Sequence, residues 1–286
     1  MNSVSVSIVL PAKNEAQSLA ELLPTLRHLL PNAEIIVVND GSTDNTVAVC
    51  RQHQVRVVSH PYSMGNGAAV KTGARTATGE ILVFMDADGQ HDPADVAKLA
   101  TKLGEGADMV VGARNARTHA NLGRWGANAL YNRLASWMVN HKIDDLTSGF
   151  RAVKADKFRE FLYLLPNGFS YPTTITMSFF RAGYPVSYVP IHAGTRVGKS
   201  HINPARDGIR FLLIIFRVGT LYSPLKLFVP VSFAFFATGL GYYVYTWFTT
   251  GRFTNMSALL FTTSVVVFLI GLVSEQITSL VYSRSR

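Results

Sequence analysis

At 286 residues the chain has room for one full α/β domain and a smaller appendage, and a hydrophobic content of 48% is high for a purely soluble enzyme. Twenty-seven Lys and Arg against 18 Asp and Glu leave a net charge of +9, which suits an anionic partner: nucleic acid, anionic lipid or a phosphorylated substrate. The single cysteine, Cys50, excludes an internal disulfide.

Val4 to Leu10 reads as a β-rich strand closed by Pro11. No secretory leader precedes it, so the amino-terminal domain is expected to stay in the cytoplasm. The loop Pro11-Ala12-Lys13-Asn14-Glu15 follows, and Ser18 reads as the N-cap of a helix reaching Leu30. Glu34 to Val38 is nearly all apolar, as expected of a strand covered on both faces, and it ends in the turn-rich string Asn39-Asp40-Gly41-Ser42-Thr43-Asp44. A helix from Thr46 to His53, a strand from Val55 to Ser59 and the glycine-rich helix entry Gly65-Asn66-Gly67 through Lys71 come next. Strands alternating with helices at this spacing mean a doubly wound, mostly parallel sheet.

The short apolar strand Gly79 to Met85 runs into Asp86-Ala87-Asp88-Gly89-Gln90-His91-Asp92-Pro93, and Pro93 opens a helix from Ala94 to Leu103. The acidic pair therefore sits at the carboxyl end of a buried strand, where open α/β sheets place ligands. A sharp turn aims Asp86 and Asp88 at one point, which suits a hard divalent cation, with the Gln90 carbonyl as a third oxygen. Glu15, Asp40 and Asp44 can accept hydrogen bonds from a ribose or a base, while Gly65, Gly67 and Lys71 can approach and neutralise a diphosphate. Four such junctions in one half-domain point to a nucleotide ligand. The first strand has no Gly-x-Gly-x-x-Gly after it and no Walker loop is present, which argues against a dinucleotide or ATP enzyme.

The combination Pro11-x-x-Asn14-Glu15, Asp40-Gly41-Ser42-x-Asp44 and Asp86-Ala87-Asp88-x-Gln90-His91-x-Pro93 resembles the family-two glycosyltransferases of GT-A fold. Asp145-x-x-Ser148-Gly149-Phe150-Arg151 and Arg196-x-Gly198-Lys199-Ser200 narrow the resemblance to the dolichol-phosphate mannose synthase group, which transfers a sugar from a nucleotide to a polyprenyl phosphate. The resemblance spans roughly residues 4 to 225 and departs from the group at Asn66, where many relatives carry lysine. It implies that Asp86, Asp88 and Gln90 hold Mg2+ or Mn2+ on the donor diphosphate. Pro11, Asn14, Glu15, Asp40, Asp44, Gly67, Lys71, Asp86 and Ala87 would form the donor site. Arg114 and Arg124, after the strand Met109 to Ala113, match positions that bind the acceptor phosphate. Asn128 and Arg133, on the helix Leu122 to Asn140, together with Ser148, Arg196 and Lys199, complete that expected set. Asp88, Asp145, Arg114 and Arg124 are the expected catalytic residues, Asp145 orienting the acceptor or an arginine, with a role as base left open.

After residue 202 the character changes. Arg206, Arg210 and Arg217 fall within about 40° of one another on an otherwise apolar helix, the pattern of a segment lying in a membrane interface. Leu227 to Phe248 and Phe253 to Ser274 carry no charge, and each 22-residue run is long enough to cross roughly 30 Å of hydrocarbon. The expected organisation is a GT-A domain over 1–202, a juxtamembrane amphipathic helix over 203–224 and a transmembrane hairpin over 225–286. Basic residues crowd both hairpin ends while only Arg252 lies in the turn, so the hairpin ends and the catalytic domain are expected on the cytoplasmic side of a bacterial-type inner membrane. Gly239-x-Gly241 suggests a helix contact, and homo-oligomerisation through the hairpin is expected as an option.

The reading is thus a membrane-anchored, inverting glycosyltransferase acting on GDP-mannose or a UDP-hexose, with an undecaprenyl- or dolichyl-type monophosphate as acceptor. A polysaccharide-synthase-like enzyme would carry Gln-x-x-Arg-Trp after its later Asp. Here the nearest string, Asn121 to Trp125, precedes Asp145. A catalytically inactive scaffold would not need the acidic junctions, and a nucleic-acid binder would interleave aromatics with a basic face.

Overall fold

The computed structural model describes residues 4–114, 122–168, 171–192, 216 and 219–283. The chain divides into two compact units, Met1–Ile202 and Asn203–Arg286.

The first unit is built on one seven-stranded sheet: β1 (Val6–Ala12), β2 (Glu34–Asn39), β3 (Arg56–Ser59), β4 (Ile81–Phe84), β5 (Met109–Arg114), β6 (Arg151–Lys154) and β7 (Val186–Ile191), in the order β3-β2-β1-β4-β6-β5-β7. Every neighbouring pair is parallel except those of β6, which runs antiparallel to both β4 and β5. That single reversal matters for the site. Because β6 runs backwards, the loop that precedes it, Asp145–Phe150, arrives at the same edge of the sheet as the loops that follow β1, β2, β4 and β5.

Helices cover both faces. Leu19, Leu22, Leu23 and Leu26 fall on one stripe of α1 (Ala16–Leu29), at the spacing a core-facing helix needs. They share a buried cluster with Ile8, Leu10, Val37, Val83 and Val110 of the sheet and with Val96, Leu99 and Leu103 of α4 (Asp95–Gly104). α2 (Thr46–Gln52) adds the buried Cys50. On the opposite face α3 (Asn66–Thr76) lies so close that a Cβ on Gly73 would stand 2.2 Å from Val9 Cγ1. α5 (Leu122–Val139), α6 (Ala155–Arg159) and α7 (Tyr171–Ala182) complete the unit.

Two local readings change, and one strand is added. Pro11 lies inside β1, opposite Val38, instead of ending it. Pairing with β4 stops where the Met85 N–H reaches Val9 O, so no neighbour asks for the N–H that proline lacks. Ser18 is in the first turn of α1, its Oγ donating to Glu15 Oε2, and Glu15 holds the cap position. β6 is too short and too mixed, as Arg-Ala-Val-Lys, to register as a strand from pattern alone.

The second unit is a pair of long apolar helices, Pro224–Thr250 and Asn255–Ser283, joined by a turn in which Gly251 adopts φ 64°. Each offers 27 residues long and apolar enough to cross a membrane. Ser232 and Ser264 bond reciprocally, each Oγ donating to the other's carbonyl oxygen at 2.9 Å, which satisfies both hydroxyls within the apolar pair. A Cβ on Gly239 would press on Leu260 at 3.0 Å and one on Gly271 on Phe228 at 2.7 Å, whereas nothing lies within 4 Å of Gly241. The Gly239 contact is therefore made inside the hairpin. Most of the expected interfacial segment, including Arg206, Arg210 and Arg217, lies outside the described residues.

Candidate active site

The carboxyl edge of β4 delivers Asp86 and Asp88. The Asp86 side chain is 38% exposed, its Oδ2 standing 3.7 Å from Nε2 of the buried His91. His91 in turn stacks on Phe150, ring centroids 4.8 Å apart, so the acidic turn is braced against the loop before β6. The Gln90 N–H donates to Asp88 Oδ1 at 3.2 Å, closing the turn. Gly149 lies directly against the pair: a Cβ there would sit 3.1 Å from Asp86 Oδ2. Among the described residues no three His, Cys, Asp or Glu side chains converge. Two carboxylates at a half-exposed strand end suit a hard cation that takes its remaining oxygens from a bound phosphate ligand.

Beside this pair stands a second charged unit. Arg114, the last residue of β5, grips Asp145 with two donors, Nε to Oδ2 at 2.8 Å and Nη2 to Oδ1 at 3.1 Å. Asp145 also accepts the N–H groups of Thr147 and Ser148, both at 3.1 Å, and is buried. Burial acts to raise its pKa, but Arg114 and these N–H groups outweigh it and hold the carboxyl below the usual range. The same pair, with Asp86 nearby, raises Arg114 against the opposing effect of its own burial. Arg114 Nη2 further donates to Thr147 Oγ1 at 2.6 Å, leaving Nη1 without a protein partner among the described residues.

Beneath both units lies Arg151, fully buried. It donates to Ser148 O, to Pro172 O at 3.2 Å and to Thr176 Oγ1 at 3.2 Å, and its guanidinium carbon stands 5.7 Å from the Tyr171 ring centre. Desolvation pulls its pKa down, with the charges of Asp145 and Asp86 acting the other way. Tyr171 donates to Gly149 O at 3.3 Å. Arg151 and Tyr171 thus hold the turn Thr147–Gly149, the wall between the acidic pair and the Arg114–Asp145 pair. Ser148 is buried in that wall, with no partner for its hydroxyl among the described residues.

The expected donor residues divide. Asn14, at φ 57°, joins two loops: its N–H donates to Ser42 Oγ at 2.9 Å and its Oδ1 accepts from the Thr43 N–H at 2.8 Å. Glu15 donates its N–H to Thr46 Oγ1 at 3.1 Å, and Asp44 accepts from the N–H of Ala16 at 3.1 Å and of Thr46 at 3.0 Å. These contacts bring Pro11–Glu15 and Gly41–Asp44 together as one rim. Hydrogen bonds from Thr46 and Ala16 hold the Asp44 carboxyl below its ordinary value, although burial opposes them.

Asp40 is bound to its own loop. Its two oxygens accept from His60 Nδ1 (2.8 Å), Ser63 Oγ (2.8 Å), the Met64 N–H (2.7 Å) and the Gly65 N–H (2.9 Å). These contacts make Asp40 the organiser of the loop 60–65. Gly67 and Lys71 both meet the chain at 165–168. A Cβ on Gly67 would stand 2.1 Å from Pro166 O, and one on Gly65 2.4 Å from Asn167 O. The Ala68 N–H donates to Asn167 O at 3.0 Å, and Lys71 Nζ to Leu165 O at 3.0 Å and Asn167 Oδ1 at 2.5 Å. At Gly65 and Gly67 a side chain would collide with the chain at 165–168, which packs on the start of α3. No local sequence signal links residues about a hundred positions apart, which is why the loop 165–168 escaped pattern reading.

Of the expected acceptor residues, Arg114 and Ser148 converge on the wall turn, whereas Arg133 is exposed on the outer side of α5. Arg196 and Lys199, and the side chains of Arg124 and Asn128, lie outside the described residues.

Residues 7–162 match the family model described as glycosyl transferase family 2. The chain belongs to glycosyl transferase family 2. Residues 223–280 match the GtrB C-terminal hairpin, in agreement with the two apolar helices. Glycosyltransferase AglJ of Haloferax volcanii is 30% identical over 96% of this chain and 94% of its own length. An undecaprenyl-phosphate mannosyltransferase of Micrococcus luteus is 29% identical, over 71% of this chain and 94% of its own. Among solved structures, glucosyl-3-phosphoglycerate synthase from Mycobacterium tuberculosis, in complex with Mn2+, UDP and glucosyl-3-phosphoglycerate, superposes with a TM-score of 0.60. It is 24% identical and the match covers 76% of this chain and 78% of that one. That likeness establishes the GT-A fold. The protein is a glycosyltransferase with a membrane hairpin.

Proposed function

We propose that this enzyme moves a hexosyl group from a nucleotide sugar to a polyprenyl monophosphate at a membrane surface. The observation that carries the reading is the Arg114–Asp145 pair. A sugar hydroxyl is a weak nucleophile that needs a general base. Asp145, ionised and filled by Arg114, Thr147 and Ser148, is a poor base. An acceptor phosphate is already an anion and needs position and counter-charge, which the Arg114 guanidinium can supply. The undecaprenyl phosphate in the name of the Micrococcus luteus relative supports the same acceptor class.

In this reading a phosphate oxygen of the acceptor attacks the anomeric carbon as the bond from that carbon to the diphosphate oxygen breaks. The electron pair departs with the nucleoside diphosphate and the anomeric configuration inverts. Asp86 and Asp88, with the Gln90 carbonyl, would hold Mg2+ or Mn2+, which when bound offsets the diphosphate charge and favours its departure. The joined rim of Pro11, Asn14, Glu15 and Asp44, with the backbone of Asp86 and Ala87, would receive the nucleoside. Arg124, Asn128, Arg196 and Lys199 remain proposed contributors to the acceptor side. The basic residues at both hairpin ends favour a cytoplasmic catalytic domain.

The test is direct. Purified full-length protein is incubated with polyprenyl phosphate and a panel of GDP- and UDP-sugars, with and without Mg2+ or Mn2+. Formation of a glycosylated lipid phosphate from one donor, abolished by chelator, is expected. Transfer to a sugar hydroxyl instead, with none to lipid phosphate, would overturn the reading.

A further inference from the structure

His91 lies inside the acidic motif and has no role in the chemistry above. It is 6% exposed, and its ring stacks on Phe150 with 19° between the planes. Phe150 is itself fully buried, packed so tightly on β5 that a Cβ on Gly112 would stand 2.9 Å from its Cδ1. The imidazole therefore rests on a platform that has no room to turn. Its Nε2 stands 3.7 Å from Asp86 Oδ2, while its Nδ1 is buried with no partner among the described residues. An orphaned buried N–H is rarer than an unused lone pair, which assigns the ring N–H to Nε2, on the side of the carboxylate. Packing behind the turn is incomplete. A cavity of about 210 Å³ is lined by Asp88, Gly89 and Pro93 of the turn and by Ser18, Glu21 and Leu22 of α1. Nothing lies within 4 Å of a Cβ built on Gly89, whose φ is 74°.

We propose that His91 is a positioning residue for the cation site: its Nε2–H sets the rotation of the Asp86 carboxylate, and the stack on Phe150 sets the place of that N–H. The proposal rests on the reading of Asp86 and Asp88 as cation ligands. A carboxylate on a partly exposed turn has several side-chain rotations open to it, and ligation must give them up. A donor held beside one of its oxygens removes that freedom in advance, so affinity rises although the donor never touches the cation. Partners of this kind change metal affinity by about 10- to 100-fold when they are lost. The role is separable from packing, because a phenyl ring at this position keeps the stack and lacks the N–H.

Mn2+ binding to full-length, detergent-solubilised protein is measured from the electron paramagnetic resonance signal of the unbound ion, alone and with saturating UDP or GDP. His91→Phe keeps a ring on Phe150 and loses the donor, whereas His91→Gln offers an amide N–H at a similar reach. His91→Phe should weaken Mn2+ binding about tenfold or more, with a melting temperature within about 3 °C of the wild type. His91→Gln should recover most of that loss. Equal Mn2+ affinity in the wild type and His91→Phe overturns the positioning role and leaves the cation reading standing. An equal loss in both variants assigns His91 to packing and also overturns the proposal. Absence of Mn2+ binding by the wild type, with or without nucleotide, removes the cation reading and the proposal with it.

Discussion

Lys71 gives the sharpest contrast between pattern and structure. Beside Gly65 and Gly67 it reads as a diphosphate ligand, yet its Nζ is bonded to Leu165 O at 3.0 Å and Asn167 Oδ1 at 2.5 Å. Lys71→Met keeps most of the aliphatic stem and removes both bonds. Hydrogen bonds from a charged donor contribute about 1.5–3 kcal/mol each when buried. Lys71 is only part-buried, so solvent screening reduces the pair to about 1–2 kcal/mol in total. For a unit of this size that corresponds to a fall in melting temperature of roughly 3–6 °C. Differential scanning fluorimetry of detergent-solubilised protein measures the fall, and calorimetry measures nucleotide affinity. The structure requires the melting temperature to drop while donor affinity stays within about twofold, well under the tenfold that 1.4 kcal/mol represents. A variant with unchanged melting and a tenfold weaker donor would return Lys71 to the diphosphate and refute the latch on residues 165–168.

Three further outcomes are expected. Asp88→Ala should abolish transfer with the fold and membrane attachment intact, checked by circular dichroism and vesicle flotation; normal turnover would remove the carboxylate pair from the chemistry. Asp145→Asn leaves Arg114 part-buried without its counter-ion and should cost about 2–4 kcal/mol of stability. Its residual activity should keep the wild-type pH–rate profile, whereas loss of the acidic limb would identify Asp145 as a base. Asp40, Asp44 and Asp145 all have folded pKa values lowered below 3.8. Their contribution is therefore fully present above that pH and lost as pH falls through the lower folded values. Melting temperature should be flat from pH 7 to 5 and fall below about pH 4, and Asp40→Asn should flatten that fall while lowering stability at pH 7.

The parallel part of the sheet was legible because buried parallel strands are almost uniformly apolar, as in Glu34-Ile35-Ile36-Val37-Val38 and Ile81-Leu82-Val83-Phe84. The acidic pair was legible for the same reason: a recognisable strand end fixes where the turn must fall. β6 was not, since four mixed residues give no period. The partners of Asp40, Gly67 and Lys71 were hidden because turn residues of the same types serve ligands and loops alike. Only tertiary placement separates the two uses. His60, Ser63 and Asn167 carry no pattern of their own, yet they decide what Asp40 and Lys71 do.

These contacts bear on how the proposed site would work. With Lys71 bonded to residues 165–167, the proposed donor site relies on the acidic pair Asp86 and Asp88 to organise the diphosphate. On the proposed acceptor side Arg114 is held by Asp145, and Arg151 lies buried below the same turn. Gly149 separates the two halves, pressed against Asp86 on one side and anchored through its carbonyl by Tyr171 on the other. Bringing an anionic acceptor towards an anionic donor needs positive charge fixed in advance, because side chains that must reorganise lose most of their electrostatic advantage. A guanidinium clamped by a bidentate carboxylate cannot swing away. In the proposed mechanism its charge is therefore in place before the acceptor phosphate arrives. That preorganisation, more than proton transfer, is what this arrangement of residues can supply.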